Sequence, residues 1–356
     1  MAGNQDTELD NAALENGEGE AYSRRAVLLP GWNRRTYATW VFLAINLLVW
    51  IAMEARGGSQ DQEVLLAFGA MYGPLIAGGE YWRLFTAMFL HVGALHLIFN
   101  GVGLLIFGKM AERIFGLRRF VIIYLVAGLS GSVASYAFND VAIGAGASGA
   151  IMGILGALGA FYLVRRNTLG NMGKQNLVGL LVIAAFNLIF GFTVAGIDNW
   201  AHMGGLLGGI LMGLALAPKY RAESSGLLGG QSRIVDTTSL ARRWWVVPLA
   251  LAVLVLGARV ATSGASDVAL AQAHVMEAEE YLNDQIYDKA LEEIERAVEL
   301  DSSSGPAFYI RGKIMVELGN TSQAITDLSA SLRLGMDPES RSDAIGTLVG
   351  LRGTRR

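Results

Sequence analysis

Apolar side chains run in blocks rather than stripes over the first two thirds of the chain. Seven stretches stand out: 36–53, 94–110, 120–138, 148–164, 176–194, 200–217 and 244–261. Each approaches the roughly 20 residues that a helix needs to cross a bilayer, so the pattern predicts seven membrane-spanning helices. The second stretch is the least uniform, because it contains His96 and Asn100. Beyond the seventh, apolar and polar positions alternate with a helical period. A shift of 34 residues there superimposes Tyr281 on Met315, Ala290 on Ala324, Ile294 on Leu328, Ala297 on Ser331 and Leu300 on Leu334.

Helix–turn–helix units of that period resemble tetratricopeptide repeats. Gly312, Ala324 and Pro338 fall where such a pattern places them, whereas His274 and Glu277 do not. Two repeats are visible where about three usually make a stable array, and the stretch 338–351 is the candidate capping helix. The expected fold class is all-α, a polytopic membrane helical bundle plus a small α–α repeat domain.

Composition sharpens this division. Asp, Glu, Lys and Arg number 16 in the 178 residues from Trp40 to Ala217, against 25 in the 93 residues from Gly264 to Arg356. The first region is solvated by lipid and the second by water. The 45 glycines point to closely packed membrane helices. No cysteine is present, which removes disulfides, thiolate metal sites and cysteine nucleophiles. The net charge of −3 gives no reason to expect a nucleic-acid partner.

Positive charge alternates between the spans: Arg34 and Arg35 before the first, Lys109, Arg113, Arg118 and Arg119 after the second, Arg165, Arg166 and Lys174 after the fourth, Arg242 and Arg243 before the seventh. The positive-inside bias then puts the N-terminus in the cytoplasm and the C-terminal region outside. The expected organisation is an acidic cytoplasmic tail at 1–35, a six-helix core at 36–217, a flexible Ser-, Gly- and Thr-rich cytoplasmic linker at 218–243, the seventh helix at 244–261 and the repeat region at 264–356. Arg24-Arg25 faintly resembles a twin-arginine export signal. Pro30, Gly31, Arg34 and Arg35 interrupt the apolar run such a signal needs, so the pair reads as a juxtamembrane anchor.

Polar residues inside spans are costly and mark functional positions by default. Ser148 stands in Gly146-Ala147-Ser148-Gly149 at the start of the fourth span; its hydroxyl suits either a helix N-cap or a nucleophile. His202 opens the sixth span, with Gly205 and Gly209 on its face of the helix. Both spans run from outside to inside, so small-residue faces on the two would bring Ser148 and His202 together at one depth. An interfacial histidine bonded to a carbonyl is the plainer alternative. His96 and Asn100, at i and i+4, share a face and suit either oxyanion donation or interhelical bonding. His91 reads as structural and Asp140 and Asp198 as loop residues, Asp198, four positions before His202, being a solvated or N-terminal helix charge; no His-Glu-x-x-His is present.

Taken together, Glu80-Tyr81-Trp82-Arg83, Phe89-Leu90-His91 through His96-Leu97-Ile98-Phe99-Asn100, Gly-Ala-Ser148-Gly and Ala201-His202-x-x-Gly205-x-x-x-Gly209 resemble the rhomboid intramembrane serine proteases, in order and spacing, over residues 36–217. The extra span resembles the six-plus-one members. The resemblance implies Ser148 as nucleophile and His202 as general base of a dyad. It implies an oxyanion hole from the Ser148 N–H, His96 and Asn100, with no metal and no cofactor. Trp82 and Arg83 would belong to a structural outer loop that Glu112 anchors, with Gly146, Gly149, Gly205 and Gly209 as structural support. Met152 stands where some members have a tyrosine stacked on the histidine. Expected partners are transmembrane protein substrates, the lipid bilayer and a substrate or adaptor bound by the repeats, in a multi-pass protein of a bacterial plasma membrane. The alternative is a catalytically silent relative that binds transmembrane segments as a chaperone or adaptor.

Overall fold

A computed structural model describes residues 35–139, 143–194, 196–224 and 232–353; the expectations for the N-terminal tail before Arg35 and for Asp140 lie outside the described residues. The chain divides into two compact units. The first holds the described residues within 35–48, 97–131 and 148–251, the second those within 49–96, 132–147 and 252–353.

All seven apolar stretches are helical. The elements are α1 (Tyr37–Ala55), short helices α2 (Gln62–Ala67), α3 (Gly73–Ala77) and α4 (Arg83–Thr86), then α5 (Gly93–Gly103), which continues through a π-helical turn, Leu104–Gly108, into α6 (Lys109–Phe115). There follow α7 (Leu117–Phe138), α8 (Ser148–Val164), α9 (Arg166–Thr193), α10 (Asn199–Leu216) and α11 (Val246–Ser263). Among the described residues, five helical segments are long and apolar enough to cross a membrane: Tyr37–Ala55, Gly93–Phe115, Leu117–Phe138, Arg166–Thr193 and Ala241–Ser263. Long stretches of their uncovered surface are apolar, as in Val178, Leu181, Val182, Phe186 and Ile189 of α9 and Leu249, Val253, Val255 and Leu256 of α11. Side chains of that kind are stable facing lipid and unstable facing water.

The remaining two, α8 with 17 residues and α10 with 18, are packed against each other within the first unit. At 1.5 Å per residue α8 is about 26 Å long, short of the roughly 30 Å hydrocarbon layer. Its surroundings are protein: thirteen of its residues are buried. The contact is made by backbone. A methyl group placed on Gly205 would overlap the Gly149 carbonyl, one on Gly209 would overlap the Gly153 carbonyl, and one on Gly213 would stand 2.6 Å from the Ala157 Cα. An interior glycine disfavours a helix by about 1 kcal/mol relative to alanine, and close backbone approach is what that cost secures.

The stretch expected to be a flexible linker holds a β-hairpin instead. Strands β1 (Tyr220–Ser224) and β2 (Ser232–Asp236) pair antiparallel with Tyr220 opposite Asp236. Long-range clips hold it: Arg119 donates to the Asp236 carboxylate (2.5 Å) and to the Thr238 carbonyl (2.7 Å), and the Tyr220 hydroxyl donates to the Ile114 carbonyl (2.5 Å). Ser, Gly and Thr content predicts flexibility from local preference alone, and these partners lie more than 100 positions away.

In the second unit, α12 (Asp267–Asn283), α13 (Tyr287–Leu300), α14 (Gly305–Glu317), α15 (Thr321–Leu334) and α16 (Pro338–Gly353) form two helical hairpins and a final single helix. The 34-residue shift recurs in three dimensions. Ala290 and Ala324, Ile294 and Leu328, and Ala297 and Ser331 are all fully buried. Gly312 lies against Leu328. The shift also relates two buried acids, Glu293 and Asp327. Arg311 neutralises Asp327 with two bonds of 2.8 Å. The first repeat carries Glu277 where the second carries Arg311, and there His274 and Arg296 take Glu293 instead, at 2.6 and 2.9 Å. His274 and Glu277, which do not fit the repeat pattern, are thus two parts of one substitution.

Gly205→Ala and Gly209→Ala should each lower stability by about 1–3 kcal/mol, because the helices must separate. Gly179→Ala, in α9 with open space around it, should be neutral or stabilising by about 0.5–1 kcal/mol. Thermal unfolding in detergent checks both.

Candidate active site

Ser148 is the first residue of α8, where backbone N–H groups lack helical partners and the helix dipole is positive. The turn before it depends on Gly146, whose φ of +137° is closed to other residues and whose N–H donates to the Ala87 carbonyl at 2.9 Å. His202 lies in the first turn of α10. Asp198 caps that helix, its carboxylate accepting from the Ala201 N–H at 2.9 Å. Asp198 is thus the charge at the helix N-terminus that its place four positions before His202 suggested, and as the cap it anchors the start of the histidine helix.

The contact of the two helices extends to this level. A methyl on Gly149 would stand 3.2 Å from the Ala201 carbonyl oxygen. Ser148 precedes that contact by one residue and His202 follows it by one. Ser148 is partly exposed, while His202 is buried with its Nδ1 lacking a hydrogen-bond partner. Among the described residues no hydrogen bond joins the Ser148 hydroxyl to the His202 ring. The helices are brought together, and the two side chains stand unbonded at the same end of the contact. Met152 is buried one turn further along α8.

Asn100 is buried in the first unit. His96, one turn earlier on α5 and in the second unit, accepts at Nδ1 from the Val92 N–H at 3.4 Å, and its ring meets the edge of His91 at 5.3 Å between centroids. His91 is fully buried, and burial followed by the neighbouring His96 lowers its pKa from 6.5 to about 3. It lies ahead of α5 and serves as a neutral packing group.

Arg83 is buried and bonded to the Glu80 carboxylate (2.5 Å) and to the Leu66 and Ala70 carbonyls (2.7 and 3.1 Å). The half-exposed Trp82 ring lies 4.6 Å from its guanidinium. Arg83 is thus a loop strut. Glu112 departs from the implied role. Its carboxylate accepts from the Ala38 and Thr39 N–H groups, both at 2.9 Å, and from the Thr39 hydroxyl at 2.7 Å. It caps α1 rather than anchoring the outer loop, because the first N–H groups of a helix buried in an apolar medium need an acceptor. Sequence reasoning also passed over Asn199, which donates to the Leu188 carbonyl at 3.3 Å and joins the end of α9 to the start of α10. An Asn directly after a capping Asp was the available signal.

Comparison with known proteins gives a consistent result. Residues 78–219 match the Rhomboid domain. The chain is 44% identical over 197 residues to "Rhomboid protease GluP" of Bacillus subtilis, covering 55% of this chain and 38% of that one. It is 40% identical over 168 residues to "RHOMBOID-like protein 7" of Arabidopsis thaliana, covering 46% and 53%. It is 34% identical over 145 residues to "Putative rhomboid protease YdcA" of Bacillus subtilis, covering 40% of this chain and 71% of that one. The chain spans less than two thirds of the length of the first two of these relatives.

His91 should make stability acid-sensitive. Its folded-state pKa is depressed, so the unfolded chain binds more protons between about pH 3 and 6.5. Stability is full above pH 6.5 and falls as pH drops through that window. Unfolding measured against pH should show this slope, and His91→Gln should flatten it.

Proposed function

Since the chain belongs to the rhomboid family, we propose that it is an intramembrane serine endopeptidase acting through Ser148 and His202. The observation that supports this reading is the glycine-mediated contact of α8 and α10, at one end of which stand Ser148, the first residue of α8, and the buried His202. His202 takes the Ser148 proton as the hydroxyl attacks a peptide carbonyl and returns it to the leaving amine, as in other serine hydrolases. The hydrogen bond between them forms as substrate closes the site, since such bonds are often long before substrate binds. The Ser148 N–H at the positive end of α8, with the His96 and Asn100 side chains, stabilises the oxyanion. No metal or cofactor enters this chemistry.

Substrates are transmembrane segments. Their peptide carbonyls are locked in helical hydrogen bonds, so a segment must unwind before attack. Water reaches the site through a polar cavity open to one side, because hydrocarbon excludes it. The N-terminus is cytoplasmic and the C-terminal helices extracytoplasmic. The tetratricopeptide-like hairpins, with an acidic balance of 9 basic and 16 acidic residues from 264 to 356, hold the outer portion of a substrate or an adaptor and raise its local concentration. The unbonded Ser148 and His202 favour a second reading, a silent relative that binds transmembrane segments without cutting them.

Cleavage of a panel of tagged single-span proteins separates the two. Ser148→Ala and His202→Ala should each abolish cleavage with the protein still inserted, and the double variant should be no worse than either. Turnover retained in either variant contradicts the dyad. Asn100→Ala should slow turnover about 100–1000-fold, and an unchanged rate assigns Asn100 to packing. The chain has no cysteine, so Ser303→Cys, at an exposed position, should react with a membrane-impermeant thiol reagent in intact cells. Labelling only after lysis reverses the topology.

A further inference from the structure

The turn that precedes Ser148 is wired to the C-terminal helices, and the wiring passes through two neighbouring residues, Met71 and Tyr72. Met71 exchanges backbone hydrogen bonds with Gly144 in both directions, at 2.9 and 2.8 Å. Gly144 and Gly146 lie four and two positions ahead of Ser148, and the Gly146 N–H is held by the Ala87 carbonyl. Tyr72, next in the chain, donates its hydroxyl to Gln272 Oε1 of α12 at 3.0 Å. The short helix α3, which starts at the following residue, packs along α12.

A second attachment lies nearby. The Thr262 hydroxyl, at the end of α11, donates to the Ala258 carbonyl (3.0 Å) and sits 2.9 Å from the Tyr81 hydroxyl and 3.0 Å from that of Tyr136. With the Thr262 proton committed to Ala258, both tyrosines donate to the oxygen's two lone pairs. Arg259 lies 5.2 Å from the Tyr81 ring. The junction of α11 with α12 is pinned to the 72–81 segment at Tyr72 and Tyr81. All these residues belong to the second unit.

We propose that Tyr72 and Gln272 are positioning residues for the peptidase reaction, and that the C-terminal helices set the geometry of the Gly144–Gly146 turn through them. This rests on the reading of Ser148 as the nucleophile. A ligand held by the repeats displaces α12, and the displacement reaches the nucleophile's turn by way of Gln272, Tyr72 and the Met71–Gly144 bridge. The C-terminal helices then adjust the catalytic rate, a role separate from gathering substrate. Energetic coupling of this kind requires a demonstrated dependence between the groups.

The test uses the full chain with Tyr72→Phe, Gln272→Leu and the double variant, reading kcat and KM on a single-span substrate and hydrogen exchange of the amides of Met71 and Gly144. Each single variant should lower kcat about three- to tenfold, the scale of one hydrogen bond, with KM unchanged and Met71 and Gly144 exchanging faster. The double variant should match the singles. Unchanged kcat together with unchanged exchange overturns the proposal, as do losses that add. If the wild type cuts nothing, the peptidase reading has failed, and exchange alone decides: faster exchange in both variants supports the linkage, and unchanged exchange removes it.

Discussion

The structure of the first unit turns on the absence of side chains at one helix contact. Gly205 and Gly209 of α10 lie against the Gly149 and Gly153 carbonyls of α8 with no room for a methyl group. In lipid there is little hydrophobic force between helices, so association depends on close packing and on satisfied polar groups. The glycines supply the first. They also fix the level at which the helices meet, and that level places Ser148 and His202 one residue to either side of the Gly149–Ala201 approach. On the proposed reading of Ser148 and His202, chemistry and packing here have one cause.

The second requirement is met at helix ends. Asp198 caps α10 beside His202, Asn199 joins α10 to α9, and Glu112 caps α1 with three hydrogen bonds. Each places an acceptor or donor where an exposed backbone group would otherwise lie unsatisfied in a low-dielectric medium. Two of these three residues, Asp198 and Glu112, place a negative charge at a helix N-terminus, where the dipole favours it. Asp198, Asn199 and Glu112 thus have bonded partners that fasten helix ends, whereas Ser148 and His202 share no hydrogen bond with each other.

Much of this was legible in the chain. Seven apolar blocks became seven helices, because burial in lipid or protein needs uninterrupted apolar length. Gly205 and Gly209 at i+3 and i+7 from His202 marked a smooth face before any partner was known, and the 34-residue shift found the buried positions Ala290, Ile294 and Ala297 with their equivalents. The partners of Glu112, 73 positions away, and of Tyr72, 200 positions away, left no local trace. Arg119 likewise holds the β-hairpin across 117 positions, so composition alone described that stretch as flexible. Periodic features depend on near neighbours and are written in the sequence; single hydrogen bonds between distant segments are not.

The central claim is that the glycine contact creates the reactivity of Ser148. Labelling of Ser148 by a fluorophosphonate, located by peptide mass spectrometry, tests it in the Gly209→Val protein, where both Ser148 and His202 remain. The account predicts that labelling is lost there and retained in Gly179→Val, in the open part of α9. Wild-type labelling of Ser148 in Gly209→Val would contradict it.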